Sequence, residues 1–145
     1  MSVASITYAD KLAALEKEFR EIHTNLIKKK KSFNENQQKI YNFVIGINQL
    51  IQFNINGKQY FVKRGNKYKG FKHILLRHYG EGSEGRLTAT NILNIATTIK
   101  MGSSYASEKN DYTSISNEFN GERYIVVLSK DINGHWVVSY YSVEK

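Results

Sequence analysis

His73, Arg77 and His78 lie in one short segment, Gly70-Phe71-Lys72-His73-Ile74-Leu75-Leu76-Arg77-His78-Tyr79-Gly80, closed at both ends by glycine. Imidazoles titrate near neutrality and can give or take a proton, and a guanidinium holds an anion, so these residue types suit acid-base chemistry on a phosphate. On a helix His73 and Arg77 are four residues apart and share a face, while Phe71, Ile74 and Leu75 point to the core. His78 falls about 140° around the helix from His73. The two rings therefore reach one site only if the helix ends at Tyr79 and Gly80 turns the chain. The competing reading is a short buried helix with a polar edge.

Other chemistries fit these residues poorly. Neither histidine has an Asp or Glu at ligand spacing, and the nearest acids, Glu81 and Glu84, sit in a glycine-bearing loop, which argues against a metal site. There is no cysteine to supply a thiolate or a disulfide. A Gly-x-Ser-x-Gly elbow, a Walker loop and the glycine pattern of a dinucleotide fold are all missing. Metal-free cleavage of RNA asks for less. It needs a base for the 2′-hydroxyl, an acid for the leaving 5′-oxygen, and cations or hydroxyls around the phosphorane. The two histidines, Arg77, and the hydroxyls of Ser139 and Tyr141 supply these groups, and no cofactor is required.

The 145 residues are enough for one core with a small appendage. A formal charge of +8, from 21 Lys and Arg against 13 Asp and Glu, favours a polyanionic partner or an acidic protein that neutralises this one. The same lysines would also serve solubility alone. No apolar run reaches membrane-spanning length, and Met1 to Asp10 lack the basic start and apolar block of a cleavable leader. Proline is absent, so turns fall to Gly, Asn and Ser.

The elements that must position the site follow from periodicity. Leu12, Leu15, Phe19, Ile22 and Leu26 predict a helix from Thr7 to about Lys31, ending in the cations Lys28 to Lys31, which read first as a solvated helix end and alternatively as a phosphate-binding cluster. His23 on this helix reads as a surface or packing residue. Ser32 or Asn34 can cap a second helix carrying Ile40, Phe43, Val44, Ile47, Leu50 and Ile51, with Gly46 inside the stripe. The two helices would form an antiparallel hairpin. Asn56-Gly57 then turns a β-hairpin of Phe53 to Ile55 and Gln59 to Lys63. The loop Lys63 to Gly70 interleaves Tyr68 with cations, a pattern that can follow a phosphate backbone or simply be solvated. Gly80 to Gly85 form a candidate substrate loop. Thr88 or Thr90 caps a helix to Lys100, whose first N–H groups would attract a phosphate. Ser103 to Asp111 reads as irregular. A meander follows, with strands Tyr112 to Phe119, Arg123 to Ser129 and His135 to Val143, and turns at Asn120-Gly121 and Asn133-Gly134. Strict alternation puts His135, Val137, Ser139, Tyr141 and Val143 on one side of the last strand. The class is α+β.

The run Phe71-Lys72-His73-Ile74 to His78, the glycine loop leading to Leu87-Thr88, the helix Asn91 to Ile99 and the ending Trp136-Val137-Val138-Ser139-Tyr140-Tyr141 resemble the toxin nucleases of the barnase, EndoU, colicin and RelE (BECR) superfamily. Its EndoU-like and phage-associated branches are the most similar, and the likeness covers about Phe53 to Val143. It implies an N-terminal helical segment, residues 1–52, before a BECR-like nuclease domain, residues 53–145, with a twisted antiparallel sheet, two short helices and an RNA site on the concave face. By the same resemblance His73 matches the first catalytic histidine, and Ser139 with Tyr141 match the pair that positions the scissile phosphate. EndoU-like members carry a second histidine after a Gly-Gly pair, whereas no histidine follows Gly82 and Gly85 here. The general acid is therefore open between His78, Arg77 and a tyrosine. A catalytic lysine of part of the family has Lys72 and Lys100 as candidates by position.

The function expected from this is a metal-independent endoribonuclease of toxin type, with RNA, tRNA included, as substrate and 2′,3′-cyclic phosphate ends as product. His73, Arg77, His78, Ser139 and Tyr141 would be catalytic, and Lys69, Lys72, Arg86, Thr88 and Lys100 would hold RNA. The resemblance further implies action in the bacterial cytoplasm after delivery within a larger secreted protein or from a mobile element, and a cognate immunity or antitoxin protein. The alternative is a non-catalytic basic module that binds nucleic acid or protein.

Overall fold

The structure is a computed structural model that describes residues 7–80, 82–106, 112–131 and 134–144. Helix α1 (Tyr8–Lys28) begins in a reciprocal cap: the Thr7 hydroxyl accepts the Asp10 amide, and the Asp10 carboxylate accepts the Thr7 amide. Helix α2 (Glu35–Val44) repeats the device with Asn34 and Gln37. It stops at Val44, earlier than its apolar stripe predicts. Gly46 lies beyond the helix at φ +90°, Ile47 is exposed, and Leu50 already opens a strand. A residue type alone could not show that Leu50 and Ile51 belong to an alternating pattern.

Strands β1 (Leu50–Ile55) and β2 (Lys58–Lys63) form the expected hairpin, with Asn56 and Gly57 both at positive φ. Helix α3 (Phe71–His78) carries the histidines. The single helix expected after Thr88 is two: α4 (Ala89–Leu93), capped by Thr88 and Asn91, and α5 (Ile95–Met101), broken apart at Asn94. Residues 103–106, expected to be irregular, are strand β3 (Ser103–Ala106), while 107–111 lie outside the described residues. The meander is β4 (Tyr112–Phe119), β5 (Glu122–Asp131) and β6 (Gly134–Glu144). Its first turn has Asn120 and Gly121 at positive φ, as Asn-Gly demands, whereas Asn133 of the second falls outside the described residues.

The strands form one sheet in the order β1-β2-β6-β5-β4-β3. It is mixed rather than antiparallel, because β2 pairs with β6 in parallel through Tyr60 with His135 and Phe61 with Trp136. This short contact joins the first hairpin to the meander. One face of the sheet carries Phe53, Val62, Val126, Leu128, Val137 and Tyr140 into a core shared with Leu15 and Phe19 of α1, Phe43 of α2, Leu75 of α3 and Ile99 of α5. The α+β class is as expected, with three short helices around the sheet instead of two. No helix among the described residues is long and apolar enough to cross a membrane.

Candidate active site

Helix α3 starts where β2 leaves β6. Gly70, at φ +90°, donates its N–H to the Val138 carbonyl at 2.9 Å and so takes the place of β2 beside the last strand. A Cβ on Gly70 would lie 3.0 Å from the Lys63 carbonyl oxygen, so the close approach suits glycine. At the same point β6 bulges: Leu128 pairs with Val137 but Val127 pairs with Ser139, which leaves Val138 as the extra residue. The bulge corrects the alternation expected along this strand. Val137 and Tyr140 face the core, while Ser139 and Tyr141 are turned to the opposite face.

That turn brings Ser139 to His73. The Ser139 hydroxyl lies 3.2 Å from His73 Nε2, and His73 Nδ1 lies 3.0 Å from the Lys67 carbonyl. A carbonyl only accepts, so Nδ1 carries a proton, and Nε2 is the ring nitrogen that faces the Ser139 hydroxyl. His78 is held the same way, its Nδ1–H donating to the Glu84 carbonyl at 2.6 Å. The two rings meet edge to face with centroids 5.5 Å apart, and His78 lies 5.4 Å from the Tyr141 ring. The helix ends at Tyr79, which has extended backbone, and Gly80 follows at φ +103°, the geometry needed for both imidazoles to share one place.

His78, Arg77, Ser139, Tyr141 and the Glu84-Gly85 backbone line a cavity of about 460 Å³. His73 joins it through Ser139. Gly85 at φ +60° packs against Tyr141 and His78, and its carbonyl accepts the Ser142 amide at 3.1 Å, so the glycine loop is stitched along the edge of β6. Burial pushes the His78 pKa down, and neighbouring His73 and Arg77 push it further, against the opposing pull of the Glu84 carbonyl and carboxylate. Burial raises the Tyr141 phenol, so it stays a hydrogen-bond donor at neutral pH. Arg77 is exposed and pairs with the Glu84 carboxylate at 3.4 Å.

The residues expected to hold RNA are less closely gathered. Lys69 stands at the open face with its ammonium 5.6 Å from the Tyr112 ring centroid. Lys72 points to Tyr8, 5.5 Å from that ring. Arg86 and Thr88 line a separate polar cavity of about 720 Å³, joined to the first at Glu84, Gly85 and Ser142, and Thr88 is engaged in the α4 cap. Lys100 is exposed on α5 and lines neither cavity. His23 packs between Phe33 and Tyr41.

Sequence reasoning placed Gly85 in a candidate substrate loop but passed over the carbonyls of Lys67 and Glu84, because a backbone oxygen has no residue type to reveal it. Among the described residues no three His, Asp or Glu groups come together as a metal site. No protein-family model matches this chain, and no curated protein shows significant similarity to it.

Proposed function

We propose that the chain is an endoribonuclease that needs no metal, cleaving RNA by attack of a 2′-hydroxyl on the adjacent phosphorus. The observation that carries this is the pair of imidazoles, edge to face and each tied through Nδ1 to a carbonyl, with His78, Arg77, Ser139 and Tyr141 lining one cavity and His73 reaching it through Ser139. Burial favours neutral His78, which makes it the base that removes the 2′-hydroxyl proton. His73 is then the acid, giving its Nε2 proton to the departing 5′-oxygen. The 2′-oxygen-to-phosphorus bond forms, the phosphorus-to-5′-oxygen bond breaks, and the products are a 2′,3′-cyclic phosphate and a 5′-hydroxyl. Arg77, released from Glu84, and the hydroxyls of Ser139 and Tyr141 stabilise the phosphorane oxygens.

This reading carries with it a toxin-type role in the bacterial cytoplasm and a cognate inhibitor protein, for which the +8 charge is the supporting feature. The test is incubation of the purified chain with tRNA and total RNA in EDTA. Cleavage with cyclic phosphate ends, lost in His73→Ala, is expected. Intact RNA at several-fold protein excess, from a chain that stays folded, would overturn the enzyme and leave the binding module.

A further inference from the structure

The sheet face opposite the core carries a row of aromatic residues that the catalytic reading does not use. Phe61, Trp136, Ser129 and Tyr112 lie in one register row across β2, β6, β5 and β4, so their side chains share a face. Ser129, the smallest of the four, separates the Trp136 and Tyr112 strands. Two strand spacings put the aromatic positions about 10 Å apart, which accommodates a flat ring between them once the side chains lean inward. Phe61 backs Trp136 in a stack with centroids 4.8 Å apart and planes 24° from parallel. Each wall carries a cation: Lys63 Nζ is 5.1 Å from the Trp136 ring, and Lys69 Nζ is 5.6 Å from Tyr112.

Phe61 is itself buried, stacked on Trp136. None of Phe61, Trp136 and Tyr112 belongs to the buried cluster, whose helices cover the other face. Trp136 and Tyr112 are half-buried. A π surface with an ammonium on either side matches a nucleobase and its flanking phosphates. Along β5 the row is two residues, about 7 Å, from Val127, the register partner of Ser139. A single nucleotide of extended strand spans that step.

We infer that the Trp136-Ser129-Tyr112 slot stacks an unpaired base of the RNA substrate, one nucleotide from the bond cleaved at Ser139 and His73. It follows that the substrate strand is single at that position, because a paired base could not enter between the walls. This inference rests on the ribonuclease reading and specifies its substrate.

Trp136 is the only tryptophan in the chain, so its emission reports the slot alone. The wild-type chain is titrated with a labelled 2′-O-methyl RNA single strand, which lacks the attacking hydroxyl, while emission and anisotropy are both followed. Quenching of Trp136 should saturate together with anisotropy, and a duplex of the same sequence should bind without it. Trp136→Leu and, separately, Tyr112→Leu should each weaken single-strand binding roughly ten-fold. Binding with unchanged Trp136 emission and unaltered affinity in both variants would overturn the slot while cleavage of natural RNA still upheld the nuclease. Absence of both binding and cleavage would overturn the two together.

Discussion

His73 Nε2 and Ser139 Oγ lie 3.2 Å apart although 66 residues separate them in the chain. The contact depends on two backbone events that meet at Val138, the insertion of Gly70 beside it and the bulge that turns Ser139 away from the core. Ser139→Ala should keep the fold, because the side chain is outside the core cluster, and lower cleavage by about a hundred-fold to a thousand-fold, the range for one donor stabilising developing oxyanion charge. Single-turnover rates with matched circular dichroism spectra would check it; an unchanged rate would remove Ser139 from the site.

The roles given to the two imidazoles can be told apart by the leaving group. In a nucleoside 3′-(4-nitrophenyl phosphate) the bond broken is that from phosphorus to 4-nitrophenolate, which leaves without needing an acid. His73→Ala should regain most of its lost rate on this substrate relative to RNA, whereas His78→Ala should be equally impaired on both. The reverse pattern would exchange base and acid.

Stability should fall in acid because of His78. Burial holds its folded pKa below the ordinary 6.5, so between those two values the unfolded chain binds the extra proton. Protonation therefore favours unfolding as pH drops below about 6.5, and stability is recovered as pH rises through that window. Burial lowers His135 too, aided by Lys58 and Lys130, and it contributes in the same direction. Urea midpoints at pH 7.5 and 5 should differ less in His78→Gln than in wild type, with the remainder due to His135 and other groups. Equal differences in the two proteins would contradict the buried neutral ring.

Gly82 and Gly85 make a matched pair. Both have positive φ, but a Cβ on Gly82 meets nothing within 4 Å, while one on Gly85 comes within 3.0 Å of Tyr141 Cβ and 3.1 Å of His78 Nδ1. Each alanine substitution should cost about 1 kcal/mol of backbone strain. Only Gly85→Ala should also displace the rings and cut activity by an order of magnitude or more. Thermal melts beside cleavage rates separate the two effects.

Lys11 of α1 donates to the carbonyls of Leu76 and Tyr79, 2.9 Å each, and so closes the end of α3 next to His78. The Tyr79 hydroxyl donates to Glu18 of the same helix. Lys11→Met should destabilise the chain by about 1–2 kcal/mol and weaken catalysis more than RNA binding. Denaturant midpoints, together with separate measurement of binding and rate, would show it.

Local signals were readable without any coordinates. Asn56-Gly57 and Asn120-Gly121 specify positive φ at adjacent residues, Asn34 and Thr88 offer side chains to free amides, and the apolar spacing around His73 and Arg77 describes one helical face. Each depends on residues within a few positions of one another, and so the α+β class and the helix bearing the histidines were legible. The bulge at Val138, the parallel contact of β2 with β6, the break at Asn94 and the early end of α2 were not. They are settled by which distant segment competes for the same backbone groups and the same core volume. The sequence by itself determined that two imidazoles, a guanidinium and two hydroxyls were available, and only tertiary structure decided that they meet. A strand's facing reverses with one inserted residue, and that residue is extra only relative to a partner strand.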